Sequence, residues 1–226
     1  MIPNVSSETL VVQFGSLEVK FWGDFACFTR PEMKVERVTY PVMTPSAARG
    51  ALEAIFWKPQ VAWRIEEIRI LKPIAYASIL RNEINDRQSD RSARRWAQAG
   101  GGYDASANRA QRHTLALRDV AYVVRAQLVL QDGVEENIAK FRDQFRRRVA
   151  RGQCFATPYL GCREFSASFG EPEPGEKAIE LCEDLGLMLL DIDYDSDDSG
   201  RGTPRFFEAS LDRGVLRVPD RFSENS

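Results

Sequence analysis

The order of apolar patterns along this chain constrains its fold more than any other sequence feature. Residues 17–28 alternate apolar and polar side chains with a period of two, which is typical of a half-buried strand. Residues 44–58 place apolar side chains on one helical face, with Thr44 as the predicted N-cap and Pro45 at the first helical position. Residues 61–76 alternate again. The chain therefore begins with a predicted strand, a helix and a second strand.

A similar order of patterns follows further along the chain. Residues 114–131 are rich in β-branched side chains and predict a strand. Residues 135–149 predict an amphipathic helix with its apolar side chains facing inward and its arginines facing outward. A final strand near residues 153–169 would complete the order βαββαβ, which is the ferredoxin-like arrangement. We therefore expect an α+β fold whose main domain spans residues 1–170.

The C-terminal residues 171–226 form a predicted small, acidic, β-rich region. A strand is predicted at residues 185–194, and a hairpin is predicted across residues 205–218 with Asp212-Arg213-Gly214 as its turn. The stretch between them, residues 191–202, is acidic and typical of a loop. We expect these strands to form a small antiparallel β-sheet appended to the main domain.

Residues 81–112 differ from the patterned segments around them. They are polar, contain three consecutive glycines at positions 100–102, and hold seven arginines against four acidic residues. Few apolar side chains are available to anchor such a stretch to a core. The sequence therefore predicts a long, basic, mobile loop here.

The net charge of −2 conceals two regions of opposite sign. Residues 1–170 carry 25 Lys and Arg against 18 Asp and Glu, whereas residues 171–226 carry 6 against 15. The positive charge is densest in residues 142–151, which hold five arginines and one acid. This asymmetry predicts a basic working face and an acidic C-terminal part that is solvated or docks on basic partners.

Several classes of protein are excluded or disfavoured by the sequence. No run of about 18 apolar residues is present, so we expect no membrane span. The first residues lack the layout of a signal peptide, so we expect a cytoplasmic protein. The four cysteines form no Cys-x-x-Cys pair, and one histidine does not complete the usual zinc patterns. We therefore expect reduced structural thiols, no metal and no cofactor; the cysteines are Cys27, Cys154, Cys162 and Cys182.

His113 is the only histidine of the chain and the first candidate for proton transfer. Imidazole is the side chain that readily gains and loses a proton near neutral pH. Arg112 precedes it, and its guanidinium could neutralise a phosphate or a developing oxyanion. A surface histidine in a polar loop is the alternative interpretation.

Tyr40 is a second candidate, just before the first predicted helix. Its hydroxyl could orient or deprotonate a ribose 2′-OH and its ring could stack on a base, whereas packing at a strand end is the alternative. RNA cleavage without a metal needs a base for the 2′-OH, a cation for the phosphate and an acid for the 5′-oxygen. Tyr40, Arg112 and His113 are the right chemical types, although their spacing in sequence leaves open whether they meet.

Nucleic-acid binding is predicted from exposed cations and from one glycine. A row of arginines can follow RNA phosphates with salt-dependent affinity that tolerates many sequences, whereas a solvated helix face is the alternative. A glycine can allow a phosphate to approach the backbone closely, or it can form a tight turn. The candidate RNA-binding residues are Arg109, Arg146, Arg147, Arg148, Arg151, Gly161 and Arg163.

Four blocks of sequence carry a specific resemblance. They are GDFACFTRPEMKVERVTYPVMTPSAARGALEAIFWKP at 23–59, RILKPI at 69–74, QRHTLALRDVAYVV at 111–124 and TPYLGCREFSASF at 157–169. In this order they resemble the CRISPR-associated family-five proteins of the type I-C (Dvulg) system, which belong to the RAMP superfamily. The blocks cover most of residues 17–169.

The resemblance implies a fold and an activity. The fold is a ferredoxin-like (RRM-like) RAMP domain with a small C-terminal β-sheet appendage. The activity is that of a metal-independent endoribonuclease, which cuts CRISPR repeat RNA at the base of its hairpin to mature the guide RNA. It leaves a 5′-hydroxyl and a 2′,3′-cyclic phosphate. The protein then stays with the guide RNA as a subunit of the type I-C surveillance complex.

The resemblance also implies which residues carry the chemistry. Catalysis in the family is attributed to a tyrosine near the first helix and to a lysine-histidine pair in the central loop. These positions map onto Tyr40 and onto Arg112-His113. Arginine keeps the positive charge but does not easily donate a proton, so an acid role for Arg112 is disfavoured. Two alternatives to the nuclease remain: a non-catalytic guide-RNA-binding subunit and a general nucleic-acid binder that also takes duplex DNA.

Overall fold

A computed structural model describes residues 15–33, 35–85, 88–194 and 202–219. No helix within these ranges combines the length and the apolarity needed to cross a membrane. The strands in chain order are β1 (Leu17–Ala26), β2 (Arg37–Val38), β3 (Val61–Ile70), β4 (Tyr76–Ile84), β5 (Arg109–Leu130), β6 (Ser168–Gly170), β7 (Glu183–Tyr194), β8 (Gly202–Asp212) and β9 (Val215–Arg217). The helices are α1 (Pro45–Ile55), α2 (Asp90–Ala99) and α3 (Ile138–Ala150).

The protein is a mixed α/β protein built on an antiparallel sheet whose central strand is β5. The C-terminal part of β5 pairs with β1 on one side and with β3 on the other, and β6 adds to the free side of β1. The order β6-β1-β5-β3 is antiparallel throughout. Helices α1 and α3 contact each other and the sheet, and their buried side chains join those of the strands in one core.

The two helices that cover the sheet form where the sequence predicts them. Thr44 caps α1 because its hydroxyl accepts the Ala47 N–H at 3.3 Å, and Pro45 follows at the first helical position. The buried side chains of α3 are those predicted to face inward: Phe141, Phe145 and Val149. Both helix predictions are confirmed, since an apolar stripe at helical spacing buries itself against the sheet.

The C-terminal strands extend the main sheet. β8 and β9 form the predicted hairpin, β7 pairs with β8, and β9 joins β8 to β3, so the order continues as β3-β9-β8-β7. The β8–β9 turn contains Arg213 and Gly214 at φ values of 48° and 73°, the conformation that a two-residue hairpin turn requires. Apolar side chains of these strands join the main core. Residues 195–201 of the predicted acidic loop lie outside the described residues.

The prediction of a mobile loop at residues 81–112 is wrong. β4 pairs with β5 from Tyr76↔Leu117 to Ile84↔Arg109, and α2 lies in the segment of chain that connects the two strands. The ladder satisfies the backbone hydrogen-bonding groups, and the Ser89 hydroxyl caps α2 by accepting the Ser92 N–H at 3.2 Å. Because this hairpin projects with one face largely open to water, its composition is polar although its backbone is regular.

The predicted strand at residues 153–169 is much shorter in the structure. Only Ser168–Gly170 pairs as a strand, and before it a single isolated bridge joins Tyr159 and Ser166. Gly161, with φ at 82°, lies within this irregular stretch. Backbone in that conformation does not continue a strand, so the extended segment begins only after it.

Candidate functional site

His113 lies on the β4–β5 hairpin and is exposed. It is paired with Leu80, and its Nδ1 lies 3.5 Å from the Ser78 hydroxyl oxygen. Since alternate residues of a strand share a face, the same face presents the exposed side chains of Tyr76 and Leu115. We call Tyr76, Ser78, Leu80, His113 and Leu115 the His113 face.

Arg112 lies on the opposite face of the hairpin from His113. It is paired with Arg81, and its guanidinium donates to Asn85 Oδ1 at 3.4 Å. Arg81 on that face donates to Glu164 at 2.8 Å. Consecutive strand residues point to opposite sides, so the structure does not bring the Arg112 and His113 side chains together.

Tyr40 is buried, with 1% of its surface exposed. Burial raises the pKa of its phenol, which also hydrogen-bonds to the backbone of Leu189. Tyr40 lies beyond the end of the β2–β5 ladder, and its backbone N–H donates to the Phe28 carbonyl at 2.8 Å. The Tyr40 hydroxyl is therefore engaged in the interior, whereas the exposed His113 ring contacts Ser78, so the structure shows no contact between the two side chains.

Arg30 links Tyr40 to the His113 face. Its guanidinium carbon lies 4.4 Å from the centroid of the Tyr40 ring. Burial raises the pKa of Tyr76, and the positive charge of Arg30 opposes this increase. Sequence reasoning missed Arg30, Ser78 and Tyr76; the period-two pattern of residues 76–84 is the signal that would have put the last two on one strand.

The predicted RNA-binding arginines are spread over three elements. Arg109 is exposed at the outer end of the hairpin, four residues from His113 and therefore on the same face. Arg148 is partly buried, because its Nη1 donates to the Ile55 carbonyl at 2.7 Å and its guanidinium lies 5.4 Å from the Phe56 ring centroid. The exposed arginines outside the hairpin are Arg146 and Arg147 on α3, Arg151 just after it, and Arg163.

Gly161 makes its close approach to the protein's own backbone. A Cβ at this position would lie 2.1 Å from the Cys27 carbonyl oxygen, and Cys27 N–H donates to the Leu160 carbonyl at 3.0 Å. A positive φ and this contact both require glycine. Gly161 therefore holds the turn at residues 160–165 against the end of β1.

Two cysteines and an arginine meet behind the hairpin. Cys27 and Cys162 hydrogen-bond to each other, and Arg37 Nη1 donates to the Cys162 sulfur at 3.3 Å. The bond from Cys27, followed by the bond from Arg37, lowers the pKa of Cys162, while the pKa of Cys27 is raised. Within the described ranges, no group of three His, Cys, Asp or Glu side chains is arranged to hold a metal ion.

Comparison with known proteins identifies the family. The family model Cas_Cas5d, described as CRISPR-associated protein (Cas_Cas5), matches residues 16–219. The chain belongs to the Cas5d family. The matched residues include the whole β4–β5 hairpin and the C-terminal strands β7, β8 and β9.

Two curated Cas5d relatives are similar to this chain over most of its length. The protein named CRISPR pre-crRNA endoribonuclease Cas5d of Mannheimia succiniciproducens is 44% identical over 221 residues, which cover 92% of this chain and 96% of the relative. The protein of the same name from Thermus thermophilus is 42% identical over 218 residues, which cover 90% of this chain and 91% of the relative.

Solved structures share the fold of this Cas5d member. A functionally uncharacterised protein from Streptococcus mutans aligns with a TM-score of 0.65 at 18% identity, over 92% of this chain and 94% of the other. A CRISPR-associated protein aligns with a TM-score of 0.66 at 19% identity and the same coverage. A chain of a CRISPR RNA-guided surveillance complex gives a TM-score of 0.50 at 15% identity, over 91% of each chain.

Proposed function

We propose that this protein is an endoribonuclease that cuts CRISPR repeat RNA at the base of its hairpin and thereby matures guide RNA. Two relatives more than 40% identical over nine-tenths of the chain carry the name pre-crRNA endoribonuclease. The single observation that carries the proposal is the exposed His113, whose Nδ1 is engaged by Ser78. No described residue hydrogen-bonds to Nε2, so this nitrogen is available to a substrate.

The proposed reaction is a transesterification without a metal ion. The 2′-hydroxyl oxygen attacks the adjacent phosphorus, the bond to the 5′-oxygen breaks, and the products are a 2′,3′-cyclic phosphate and a 5′-hydroxyl. His113 gives or takes the proton, because imidazole exchanges protons near neutral pH. Ser78 holds the ring in one orientation, at 3.5 Å from Nδ1. Its role is therefore to position the ring.

Arg30, Tyr40 and Arg112 have supporting parts in this proposal. The positive charge of Arg30 acts on Tyr76, which shares a hairpin face with His113, so Arg30 is suited to neutralise a phosphate of RNA bound along that face. Tyr40 positions Arg30, because the guanidinium stacks on the Tyr40 ring at 4.4 Å. Arg112 attracts RNA from the opposite face of the hairpin and takes no part in proton transfer.

RNA recognition is proposed to rest on phosphates for the stem and on bases for unpaired nucleotides. The exposed cations suited to phosphates are Arg109, Arg146, Arg147, Arg151 and Arg163. Arg148 and Gly161 act indirectly, since the first anchors the end of α3 and the second fixes a turn. The exposed rings and aliphatic groups of the His113 face are suited to an unpaired base.

We also propose that residues 1–170 form a ferredoxin-like βαββαβ domain. The antiparallel order β6-β1-β5-β3 and the positions of α1 and α3 between successive strands support this assignment. β2, β4 and α2 would then be insertions, and residues 171–226 would add strands at the β3 edge. After cleavage, the protein would remain bound to guide RNA as a subunit of a type I-C surveillance complex.

The decisive experiment follows cleavage of labelled repeat RNA in EDTA. We expect the wild type to cut and His113→Ala to lose at least about 100-fold in rate while binding RNA with similar affinity. Gln111→Ala is the matched control, because Gln111 is exposed two residues away on the same strand face.

A second arm replaces the 2′-hydroxyl at the cleavage nucleotide by hydrogen. We expect binding without cleavage, and cleavage of this RNA would overturn the mechanism. If wild type and His113→Ala bind alike and neither cuts, the protein is a guide-RNA-binding subunit only. Equal competition by unrelated duplex DNA would instead indicate a general nucleic-acid binder.

A further inference from the structure

Two large aromatic side chains are exposed together at the C-terminal end of α1. Trp57 is 57% exposed and Phe155 is 79% exposed. The backbone N–H groups of Phe155 and Ala156 both donate to the Ala54 carbonyl, at 2.8 and 3.0 Å. These bonds hold the Phe155 segment on the last turn of α1, three residues before Trp57.

Exposed cations accompany the two rings. Lys58 follows Trp57, and Arg147 and Arg151 are one helical turn apart at the end of α3. None of the three forms an ion pair with another residue in the part of the chain that the structure describes. Exposed positive charge without an acidic partner therefore accompanies the rings near the ends of α1 and α3.

The ends of α1 and α3 are tied together by hydrogen bonds, and the rings and the cations flank this junction. Arg148 Nη1 donates to the Ile55 carbonyl at 2.7 Å, and Gln153 N–H donates to the Arg148 carbonyl at 2.9 Å. These bonds fix the chain between Arg151 and Phe155. We call Trp57, Lys58, Arg147, Arg151 and Phe155 the Trp57 surface.

We propose that the Trp57 surface is a second RNA-binding site, separate from the His113 face, for an unpaired single-stranded segment. Bases stack on Trp57 and Phe155, and phosphates contact Lys58, Arg147 and Arg151. Aromatic rings together with unpaired cations are typical of sites that bind single-stranded nucleic acid. Every base can stack on an aromatic ring, and every phosphate carries a negative charge that a cation can neutralise.

Within the proposed function, the segment bound here is the unpaired flank of the repeat RNA. A nuclease that holds both the stem and its flank fixes the register of the stem relative to His113. The surface would then contribute to the choice of cleavage nucleotide as well as to affinity.

The test compares three RNAs: a repeat hairpin with its single-stranded flank, the same hairpin without the flank, and an unstructured oligonucleotide of about a dozen residues. We expect Trp57→Ala/Phe155→Ala to weaken binding of the flanked hairpin and of the oligonucleotide by at least about tenfold. Binding of the bare hairpin should stay within about twofold of the wild type. Phe206→Ala is the matched control, because Phe206 is an exposed ring on β8.

A second variant tests the cations without removing the rings. Arg151→Gln should lower the salt dependence of oligonucleotide binding by the equivalent of about one phosphate contact. Trp57→Phe retains an aromatic ring and should restore most of the affinity lost in Trp57→Ala. Thermal unfolding of each variant should match the wild type, because the replaced side chains are exposed.

The outcomes separate this inference from the proposed nuclease function. If Trp57→Ala/Phe155→Ala binds all three RNAs like the wild type, the inference is overturned even where cleavage is observed. If that variant binds RNA normally but no longer joins partner subunits, the surface docks protein and the inference is again overturned. A wild type that binds the oligonucleotide through this surface yet never cuts repeat RNA supports the inference and overturns the nuclease.

Discussion

Arg112 and His113 are neighbours in sequence but point to opposite faces of the β4–β5 hairpin. Arg112 reaches Asn85 at 3.4 Å, whereas His113 meets Ser78 at 3.5 Å on the other side. The alternation of the strand separates the two side chains, although both were predicted to be catalytic residues. Arg109 shares a hairpin face with His113, and the charge of Arg30 acts on Tyr76 at the other end of that face.

Arg112→Ala should therefore affect binding more than chemistry. At saturating enzyme we expect its single-turnover cleavage rate to stay within about tenfold of the wild type, with a weaker salt dependence of RNA binding. Arg30→Ala, in contrast, should lower the saturated rate by at least about tenfold, since it removes charge from the reacting side. Equal loss of rate in both variants would contradict the division between faces.

Tyr40→Phe separates a chemical role of the hydroxyl from a structural role of the ring. The variant loses the bond to the Leu189 backbone but keeps the surface on which Arg30 stacks. We expect a loss of stability of about 1 kcal/mol and a cleavage rate within about threefold of the wild type. Tyr40→Leu removes the ring and should lower the rate further. A loss of about 100-fold in Tyr40→Phe would show that the hydroxyl takes part in proton transfer.

Arg148 and Arg146 should differ in their effect on stability, although both were predicted to contact RNA. Arg148 caps the end of α1 through the Ile55 carbonyl at 2.7 Å, whereas Arg146 is exposed. Arg148→Ala should destabilise the fold by about 1.5–3 kcal/mol, because a hydrogen bond from a charged donor is lost. Arg146→Ala should change the free energy of unfolding by about 0.5 kcal/mol or less. Urea unfolding of both variants measures the difference, and equal midpoints would refute it.

Alkaline pH should unfold the protein in part through Tyr122. Burial raises the pKa of this phenol above that of an unfolded tyrosine. The stability it contributes is complete below about pH 10 and declines as the pH rises above that, by up to about 1.4 kcal/mol per pH unit. In Tyr122→Phe, the free energy of unfolding should decline less steeply between pH 10 and 11.5. Urea unfolding monitored by circular dichroism at each pH measures this slope. An unchanged slope would mean that the phenol becomes exposed before global unfolding.

The sequence by itself determined the main elements and the candidate proton-transfer residue. The apolar stripe of α1 with its Thr44 cap, the inward face of α3 and the β8–β9 turn follow from local rules, because each depends on side-chain spacing or on backbone conformation within a few residues. The resemblance of the QRHTLALRDV block to the family identified His113 as the candidate for proton transfer.

Only the tertiary structure decided which side chains share the site. Residues 81–112 look like a loop because an exposed two-stranded ladder needs few apolar side chains, and only the pairing of β4 with β5 reveals the hairpin. That pairing puts Ser78 beside His113, sends Arg112 to the other face, and leaves Tyr40 buried beneath Arg30. Strand register and burial depend on partners distant in sequence, so spacing along the chain does not fix them.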